Sequence, residues 1–353
     1  MSDVLEIPEN ASARARCGWL RLRCTGVRVE TPSIRTFAFR SEDGTVRHEP
    51  GQAITLALDL DGERHFRTFS ISSAVGEGEG IELTVKAHPQ GRVTPWMHRA
   101  FTPGFAVEAS PPHGRFTLGL RRGGPLAFIS AGSGATPLVS MLRRLAGTEP
   151  EADVAWLHFA RTPAEMLFSG ALARLQGRMG RLSVGFVASR PEPGWFGYRG
   201  RIGRRLLSVA IPDLARREVF CCGPGDFMRE ARLIHRAEGG DPDAFYTESF
   251  GAELEEQHRE DVSSPADAAA FRLKVGGQTI GIGAGETILQ ACRRQGIALP
   301  FGCREGLCGT CLVRKKGGTV LMHDRGGVTE GQKEGGFVLA CVTRVASDTE
   351  IEI

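Results

Sequence analysis

Four cysteines near the end of the chain constrain its fold more than any other sequence feature. Cys303, Cys308 and Cys311 follow one another at spacings of four and two residues, and 29 residues separate Cys311 from Cys341. This spacing is typical of four thiolates that hold two irons, because three ligands on one loop wrap the cluster and a distant strand supplies the fourth. The sequence therefore predicts a 2Fe-2S site with these four cysteines as its ligands.

Two other interpretations of the cysteines are a zinc site and four inert thiols. Zinc sites commonly use paired C-x2-C knuckles, and here there is only one such pair. Gly302, Gly306 and Gly309 favour the iron–sulfur interpretation, because glycines let backbone N–H groups approach the inorganic sulfides.

Length and composition limit the kinds of protein that this chain can be. Its 353 residues exceed one compact core and indicate two or three domains. A hydrophobic fraction of 41% and a charged fraction of 24% exclude a largely disordered chain. The 44 basic and 41 acidic side chains leave a net charge of +3, so we expect no nucleic-acid partner.

Residues 1–16 read as an N-terminal tail and not as a targeting segment. They lack the apolar stretch of roughly 7–15 residues that a signal peptide needs, and nowhere do about 20 apolar residues run unbroken. Clustered cysteines without a secretion signal suggest a metal before disulfides. We therefore expect a soluble, cytoplasmic protein with no membrane partner.

Residues 17–122 are predicted to form a small antiparallel β-barrel. Short apolar runs separated by Gly, Pro and Asp clusters are typical of such barrels. One short helix, Thr94–Ala100, is expected to cap the barrel. The predicted strands are Trp19–Val29, Ser33–Arg40, Ala53–Leu60, Phe66–Ser72, Ile81–Ala87 and Ala106–Ser110.

Residues 123–251 alternate between apolar runs and helical patterns. This alternation predicts an α/β domain with a parallel, doubly wound sheet. The predicted strands are Leu126–Ser130, Val154–Ala160, Leu182–Ala188 and Glu218–Cys222. The predicted helices are Thr136–Ala146, Pro163–Arg178, Arg201–Ala210 and Gly225–Ala237.

Residues 252–269 are polar and acidic without an apolar period, which indicates a linker. The segment 270–353 then opens with a hairpin, because a Gly-Gly turn supplies the positive φ that tight hairpins require, and a helix ended by a glycine follows. These elements are the strands Phe271–Val275 and Gln278–Ile282, joined by Gly276-Gly277, and the helix Thr287–Gln295, ended by Gly296.

Residues 271–353 resemble a plant-type ferredoxin domain. The resemblance is carried by the cluster loop from Phe301 to Cys311, FGCREGLCGTC, and by Leu339-Ala340-Cys341. It implies an α+β β-grasp fold around the cluster.

A possible flavin site begins with the run Arg67-Thr68-Phe69-Ser70 and continues with Gly91-Arg92-Val93-Thr94 at the start of a helix. A guanidinium and a helix N-terminus are two elements that bind a phosphate. Ser70 could hydrogen-bond the isoalloxazine edge and Phe69 could pack on its face. The alternative for the first run is an ordinary alternating strand.

A possible nucleotide site is formed by two loops that follow predicted strands. Gly132-Ser133-Gly134-Ala135-Thr136-Pro137 and Cys222-Gly223-Pro224-Gly225 each open a helix, at the sheet edge where doubly wound folds bind ligands. A hydrolase nucleophile at Ser133 is disfavoured, because Ala131 and Ala135 occupy the outer glycine positions of a nucleophile elbow.

The order and spacing of these motifs resemble the ferredoxin-NADP reductase superfamily. The resemblance implies that Arg67, Thr68, Phe69 and Ser70 bind a flavin, FAD in preference to FMN, together with Gly91, Arg92, Val93 and Thr94. It implies that Gly132, Gly134, Thr136, Pro137, Cys222, Gly223 and Pro224 bind the nicotinamide dinucleotide. The chain departs from the superfamily in carrying Phe69 where tyrosine is usual.

The same resemblance implies that Ser70, Cys222 and Glu248 carry the chemistry. Cys222 would lie near the nicotinamide, Glu248 near the reactive edge of the flavin, and Phe250 against its ring; a plain edge strand is the alternative for the segment holding Glu248. Arg161 could pair with a 2′-phosphate and Glu165 could accept from a 2′-hydroxyl. NADH is favoured, and NADPH stays open.

The whole domain order resembles single-chain reductases of multicomponent oxygenases. It implies electron transfer from NADH through flavin and the 2Fe-2S cluster to a Rieske-type oxygenase, one that demethylates a quaternary ammonium compound being a candidate. A hybrid-cluster protein and a phenylacetyl-CoA-type oxygenase are alternative acceptors, and a redox sensor is a further alternative function.

Four basic side chains on or after the cluster loop form a hypothetical docking patch for the acceptor: Arg304, Arg314, Lys315 and Lys316. We expect this patch to face acidic groups, and the alternative is solvated charge.

Overall fold

The computed structural model describes residues 19–74, 80–248, 270–283, 285–297, 299, 301, 304, 306, 309, 311–324, 327, 328 and 330–352. The predicted tail 1–16 and the predicted linker 252–269, like Phe250, Cys303 and Cys308, lie outside the described residues. The domain limits given above stay predictions.

The first domain is a closed antiparallel sheet. Its strands are β1 (Leu20–Thr31), β2 (Ile34–Ser41), β3 (Ala53–Leu60), β4 (Glu63–Ser70), β5 (Ile81–Lys86) and β6 (Ala106–Ala109). They lie in the order β4-β3-β6-β1-β2-β5, and the antiparallel bridge between Ile71 and Leu83 connects the two outer strands. The predicted barrel is confirmed.

Alternation of apolar side chains builds the barrel core. Along β5, Ile81, Leu83 and Val85 are buried, as the two-residue period of a strand requires. Helix α1 (Val93–Ala100) inserts Met97 into this core. The helix therefore closes one end of the barrel, as predicted.

The second domain is a six-stranded sheet in which every neighbouring pair is parallel. Its strands are β7 (Leu126–Ala131), β8 (Val154–Ala160), β9 (Leu182–Ala188), β10 (Tyr198–Arg199), β11 (Glu218–Cys222) and β12 (Phe245–Glu248), in the order β10-β9-β8-β7-β11-β12. Its α-helices are α2 (Ala135–Thr148), α3 (Ser169–Gln176), α4 (Arg204–Ala210) and α5 (Gly225–Ala237). The predicted doubly wound fold is confirmed.

One predicted helix is divided. The periodicity over 163–178 predicts a single helix, but residues 166–168 separate a 3-10 turn over Pro163–Glu165 from helix α3. Phe168, the last of them, has a φ of 62°. The side chains of Leu167 and Phe168 are buried in the core of the second domain. Phe168 adopts a left-handed backbone conformation while its side chain is buried. The helical periodicity of the sequence did not predict this conformation.

Side chains of α2 bind the barrel to the second domain. Arg143 donates to the Ser72 carbonyl and to Glu82, both at 3.0 Å, and Ser140 donates to the Ser73 carbonyl at 2.6 Å. Burial alone would raise the pKa of Glu82, but hydrogen bonds from Arg28 and Arg143 lower it below its usual range. Glu82 is therefore a charged partner at this contact.

The third domain is a mixed sheet with two short helices. Its strands are β13 (Phe271–Val275), β14 (Gln278–Ile282), β15 (Leu312–Gly317), β16 (Val320–Met322), β17 (Phe337–Leu339), β18 (Thr343–Val345) and β19 (Thr349–Glu352), with the five-stranded order β14-β13-β19-β15-β17 and a separate β16-β18 pair. Helices α6 (Ile288–Arg294) and α7 (Glu330–Glu334) complete the domain. The predicted β-grasp class is confirmed.

Local sequence explains the first elements of this domain. Gly276 and Gly277 have φ values of 54° and 81°, which a two-residue hairpin turn requires. Thr287 and Gln290 form a reciprocal capping box at the start of α6, and Gly296, with φ 72°, follows its end.

None of the helices in the part of the chain that the structure describes combines the length and the apolar character needed to span a bilayer.

Candidate functional site

Side chains from the first two domains meet at the carboxyl edge of the parallel sheet. Ser70, the buried last residue of β4, donates a hydrogen bond of 3.0 Å to Glu248 Oε2 at the end of β12. The sheet register places Glu248 beside Cys222. Three predicted site residues that are far apart in sequence are thus brought to one place.

Cys222 is a neutral thiol in this arrangement. Its side chain is fully buried, and burial, followed by the nearby charge of Glu248, raises the pKa of the thiol well above its usual value. A protonated thiol is a poor nucleophile. The geometry therefore favours a role in packing and orientation of a bound group over covalent chemistry.

The two predicted nucleotide loops are in direct contact. A Cβ built on Gly134 would stand 2.1 Å from the Cys222 carbonyl oxygen, so only glycine permits this approach. Gly132 has φ 54°, and the Thr136 hydroxyl donates to the Ser133 carbonyl at 2.9 Å. The close approach of backbone at a strand–helix junction fits the pyrophosphate of a dinucleotide.

Replacing Gly134 by alanine is expected to lower the thermal midpoint of unfolding and weaken coenzyme binding, because the two loops must separate to admit the methyl group. Gly147→Ala is the matched control: it lies in α2 with open space around its Cβ position, and alanine in a helix is more stable than glycine by about 0.5–1 kcal/mol. Differential scanning fluorimetry without and with NAD⁺ measures the thermal midpoint and its shift on coenzyme binding for each variant. Equal behaviour of the two variants would contradict the contact.

Arg161 and Glu165, the two residues considered for coenzyme choice, bind each other. Arg161 donates from Nε and Nη2 to the two carboxylate oxygens of Glu165, at 3.1 and 2.9 Å. Hydrogen bonding to Glu165 raises the pKa of the Arg161 guanidinium. A 2′-phosphate would have to compete with this carboxylate for Arg161.

The first part of the flavin motif, Arg67 to Ser70, forms the end of β4. Arg67 is half-buried and donates to the Phe66 carbonyl at 2.8 Å, while Phe69 packs against the barrel core. The Thr68 hydroxyl pairs with Thr55 Oγ1 at 2.8 Å. Their contacts with a flavin stay predictions.

The N-terminus of α1 opens onto a cavity of about 380 Å³ that Gly91, Arg92, Trp96 and Arg99 help to line. Thr94 Oγ1 accepts from the His88 N–H at 3.0 Å, which tightens the turn ahead of Val93. The free N–H groups of a helix N-terminus beside a cavity fit a phosphate-bearing group such as FAD.

Arg92 is shared between this cavity and acidic neighbours. Its guanidinium lies 3.3 Å from Asp61 and 3.4 Å from Glu63, at the turn between β3 and β4. These pairs are exposed, so solvent screens them and they are weak. A bound phosphate could displace them.

Two of the predicted cluster ligands converge from separate segments. Cys311 and Cys341 are not joined by a disulfide, their Sγ atoms lie 3.1 Å apart, and both side chains are buried. Gly306 and Gly309 have φ values of 73° and 71°, and a Cβ on Gly309 would stand 2.9 Å from the Gly327 carbonyl. Converging thiols beside a loop with two glycines of positive φ fit an iron–sulfur cluster.

Comparison with known protein families assigns a family model to each domain. Residues 25–118 match an oxidoreductase FAD-binding domain, residues 128–233 an oxidoreductase NAD-binding domain, and residues 273–346 a 2Fe-2S iron-sulfur cluster binding domain. The predicted FAD, NAD and 2Fe-2S domains are thereby confirmed as the domain types of this chain.

The stachydrine N-demethylase reductase subunit of Rhizobium meliloti is 36% identical over 341 residues, covering 94% of this chain and 96% of the relative. The chain belongs to the family of oxygenase reductase subunits. The glycine betaine monooxygenase reductase subunit of Chromohalobacter salexigens is 33% identical, with 94% of each chain covered. The structure of phthalate dioxygenase reductase aligns over 96% of this chain and 99% of its own with a TM-score of 0.57, and at 21% identity it supports the fold alone.

Next to Cys222 the reductase contains two buried polar side chains, Ser130 and His158, that the sequence patterns did not single out, and the three form a row. Cys222, Ser130 and His158 are register partners on adjacent strands. Ser130 Oγ accepts from Trp156 Nε1 at 2.9 Å and shares a 2.8 Å hydrogen bond with His158 Nδ1. His158 is fully buried, and its Nε2 has no partner among the described residues. A lone Ser or His in an apolar strand carries no sequence signal for such a row.

This row makes the reductase sensitive to acid. Burial lowers the pKa of His158 to about 4, whereas an unfolded histidine titrates near 6.5. The neutral ring therefore stabilises the fold fully above about pH 6.5, and that stability is lost as the pH falls, by about 2 kcal/mol at pH 5 and about 3 kcal/mol near pH 4.

We expect His158→Asn, which keeps a donor near the Nδ1 position, to lose less stability than the parent between pH 7.5 and pH 5. Thermal midpoints measured across that range test the difference between the two proteins. Parallel pH profiles would contradict the assignment to His158.

Proposed function

We propose that the protein is a cytoplasmic reductase that passes electrons from NADH through FAD and its 2Fe-2S cluster to the oxygenase component of a multicomponent oxygenase. The observation that carries the proposal is the 3.0 Å hydrogen bond between Ser70 of the flavin strand and Glu248 of the nucleotide sheet, beside Cys222. This bond connects the predicted flavin site to the predicted nicotinamide site, between which a hydride would pass. The same chain also has a 2Fe-2S domain that could accept the electrons.

The protein's own groups would orient the reactants. A bound flavin takes two electrons as hydride from a nicotinamide and can release them singly to an iron–sulfur centre. Ser70 and Glu248, hydrogen-bonded to each other, would line one side of the site. The neutral Cys222 thiol would pack beside the nicotinamide. The two glycine loops would fix the pyrophosphate and thereby the position of the ring.

The names of two relatives support a proposal for the substrate class of the partner oxygenase. Stachydrine and glycine betaine, named in two of the relatives, are both quaternary ammonium compounds. We propose a Rieske-type oxygenase that demethylates such a compound as the physiological acceptor. Reconstitution with candidate oxygenases and detection of released formaldehyde tests this, and turnover only with a phenylacetyl-CoA oxygenase or a hybrid-cluster protein would overturn it.

Anaerobic titration of the purified holoprotein with NADH tests the electron path. We expect flavin bleaching and loss of the cluster absorbance to occur together, and FAD to be released on denaturation. Failure of NADH to bleach the flavin would reject the function.

Coenzyme choice is proposed to depend on the Arg161–Glu165 pair. Glu165→Gln removes the carboxylate that occupies Arg161, so we expect kcat/KM for NADPH to rise about tenfold relative to NADH, the effect of about 1.4 kcal/mol. Glu151→Gln, an acidic residue in the loop before β8, is the charge-matched control. Steady-state rates with both coenzymes measure the ratio, and an unchanged ratio in Glu165→Gln would contradict the role of the pair.

A further inference from the structure

A phenylalanine at the cluster loop is flanked by two guanidinium groups. The Cζ atoms of Arg304 and Arg293 lie 4.5 and 5.1 Å from the centre of the Phe301 ring. Both distances are within the range of cation–π attraction. The ring, half-exposed, and the exposed Arg293 of the last turn of α6 therefore present one aromatic and cationic surface.

This surface is close to the predicted cluster by chain connectivity. Phe301 and Arg304 lie two residues and one residue from Cys303, which places their Cα atoms within about 7 and 4 Å of that ligand's Cα. Cys311 and Cys341, next to the ends of β15 and β17, are buried. Because the rate of electron transfer falls steeply with distance, an acceptor gains most by docking on the loop side.

Three described cations outside this surface take part in ion pairs or hydrogen bonds. Lys316 pairs with Glu352 at 3.0 Å, and Lys315 donates to the Gly318 carbonyl at 3.0 Å. Arg294, next to Arg293 in the chain, pairs with Glu286 at 2.9 Å. The predicted patch of Arg304, Arg314, Lys315 and Lys316 stays a prediction. The contacts of Lys315 and Lys316 favour a surface centred on Arg304 and α6.

We propose that Arg293, Phe301 and Arg304 form the docking surface for the electron acceptor, a protein with an acidic patch around its redox centre. Arginine and aromatic side chains are the residues that most often anchor protein interfaces, and the paired guanidinium groups attract carboxylates. The stacking holds both charges in place before the partner arrives, which lowers the conformational entropy lost on docking. This inference rests on the proposed electron-transfer function.

The test uses holoprotein, NADH and three acceptors: ferricyanide, the acidic haem protein cytochrome b5 and the basic haem protein cytochrome c. We expect Arg293→Gln and Arg304→Gln each to lower kcat/KM for cytochrome b5 about threefold to tenfold at low ionic strength, an effect that disappears at high salt. The rate with ferricyanide and the flavin and cluster spectra should not change, and the rate with cytochrome c should stay equal or rise.

Lys316→Gln is the control that removes the same charge from a paired side chain, and it should have little effect. Equal losses in Lys316→Gln and Arg293→Gln, or no loss in Arg293→Gln, would overturn the proposal. If Arg304→Gln loses the cluster, the kcat/KM of Arg293→Gln with cytochrome b5 alone tests the proposal. A wild-type protein that cannot transfer electrons from NADH to ferricyanide would instead reject the underlying function.

Discussion

Replacing Cys341 by serine is expected to abolish electron transfer to protein acceptors while leaving flavin reduction by NADH intact. Cys341 supplies one of two converging thiols, and a hydroxyl is a poor ligand for the irons that thiolates hold. The loss should exceed the roughly 10–100-fold that removal of an outer-shell partner costs. Stopped-flow absorbance separates the two steps, because flavin bleaching and cytochrome b5 reduction are followed at different wavelengths.

Cys292→Ser is the matched control for this prediction. Cys292 is fully buried in the same domain, so the same substitution costs stability without touching a ligand. We expect the control to retain the cluster spectrum and the rate of acceptor reduction. A Cys341→Ser protein that kept a wild-type rate with cytochrome b5 would contradict the assignment of the fourth ligand.

Replacing Ser70 by alanine is expected to slow flavin reduction by NADH about 100-fold, the usual effect of removing one preorganised hydrogen-bond donor. Ser70 is buried and is directed at Glu248 across the interface. Stopped-flow reduction with NADH and with deuterated NADH measures the step, and the primary isotope effect should persist or grow because the hydride step becomes slower.

Ser72→Ala provides the comparison. Ser72 is equally buried two residues along the chain, but its hydroxyl bonds Thr84 and the Glu82 carbonyl within the barrel. We expect this change to reduce stability and to leave the hydride step within about threefold of the parent, since effects of this kind are local. Equal rates in the two variants would remove Ser70 from the chemistry.

The sequence predicted most of the fold because its signals are local. Strands such as Ala53–Leu60 and Val154–Ala160 have the predicted bounds, since alternation and apolar runs are set by neighbouring residues. The glycine turn at 276–277 and the end of α6 follow from backbone freedom at single positions.

The features that the sequence did not predict depend on tertiary contacts. The interruption at Phe168 follows from burial against distant helices, and the Ser130–His158 pair exists only because β7 and β8 are adjacent. Ser70 and Glu248 were both named in advance, but the hydrogen bond between them spans 178 residues of sequence. Local residue spacing does not predict a contact between residues so far apart in sequence.

The hydrogen bonds from Arg143 to Ser72 and Glu82 restrain the two domains between which coenzyme is proposed to bind. Helix α2 begins at the glycine loop and, two turns later, is fastened to the strand end just beyond Ser70. These contacts brace the two domains against each other beside the predicted coenzyme site. We therefore expect coenzyme release to depend on the loop contacts that would hold the pyrophosphate more than on separation of the two domains.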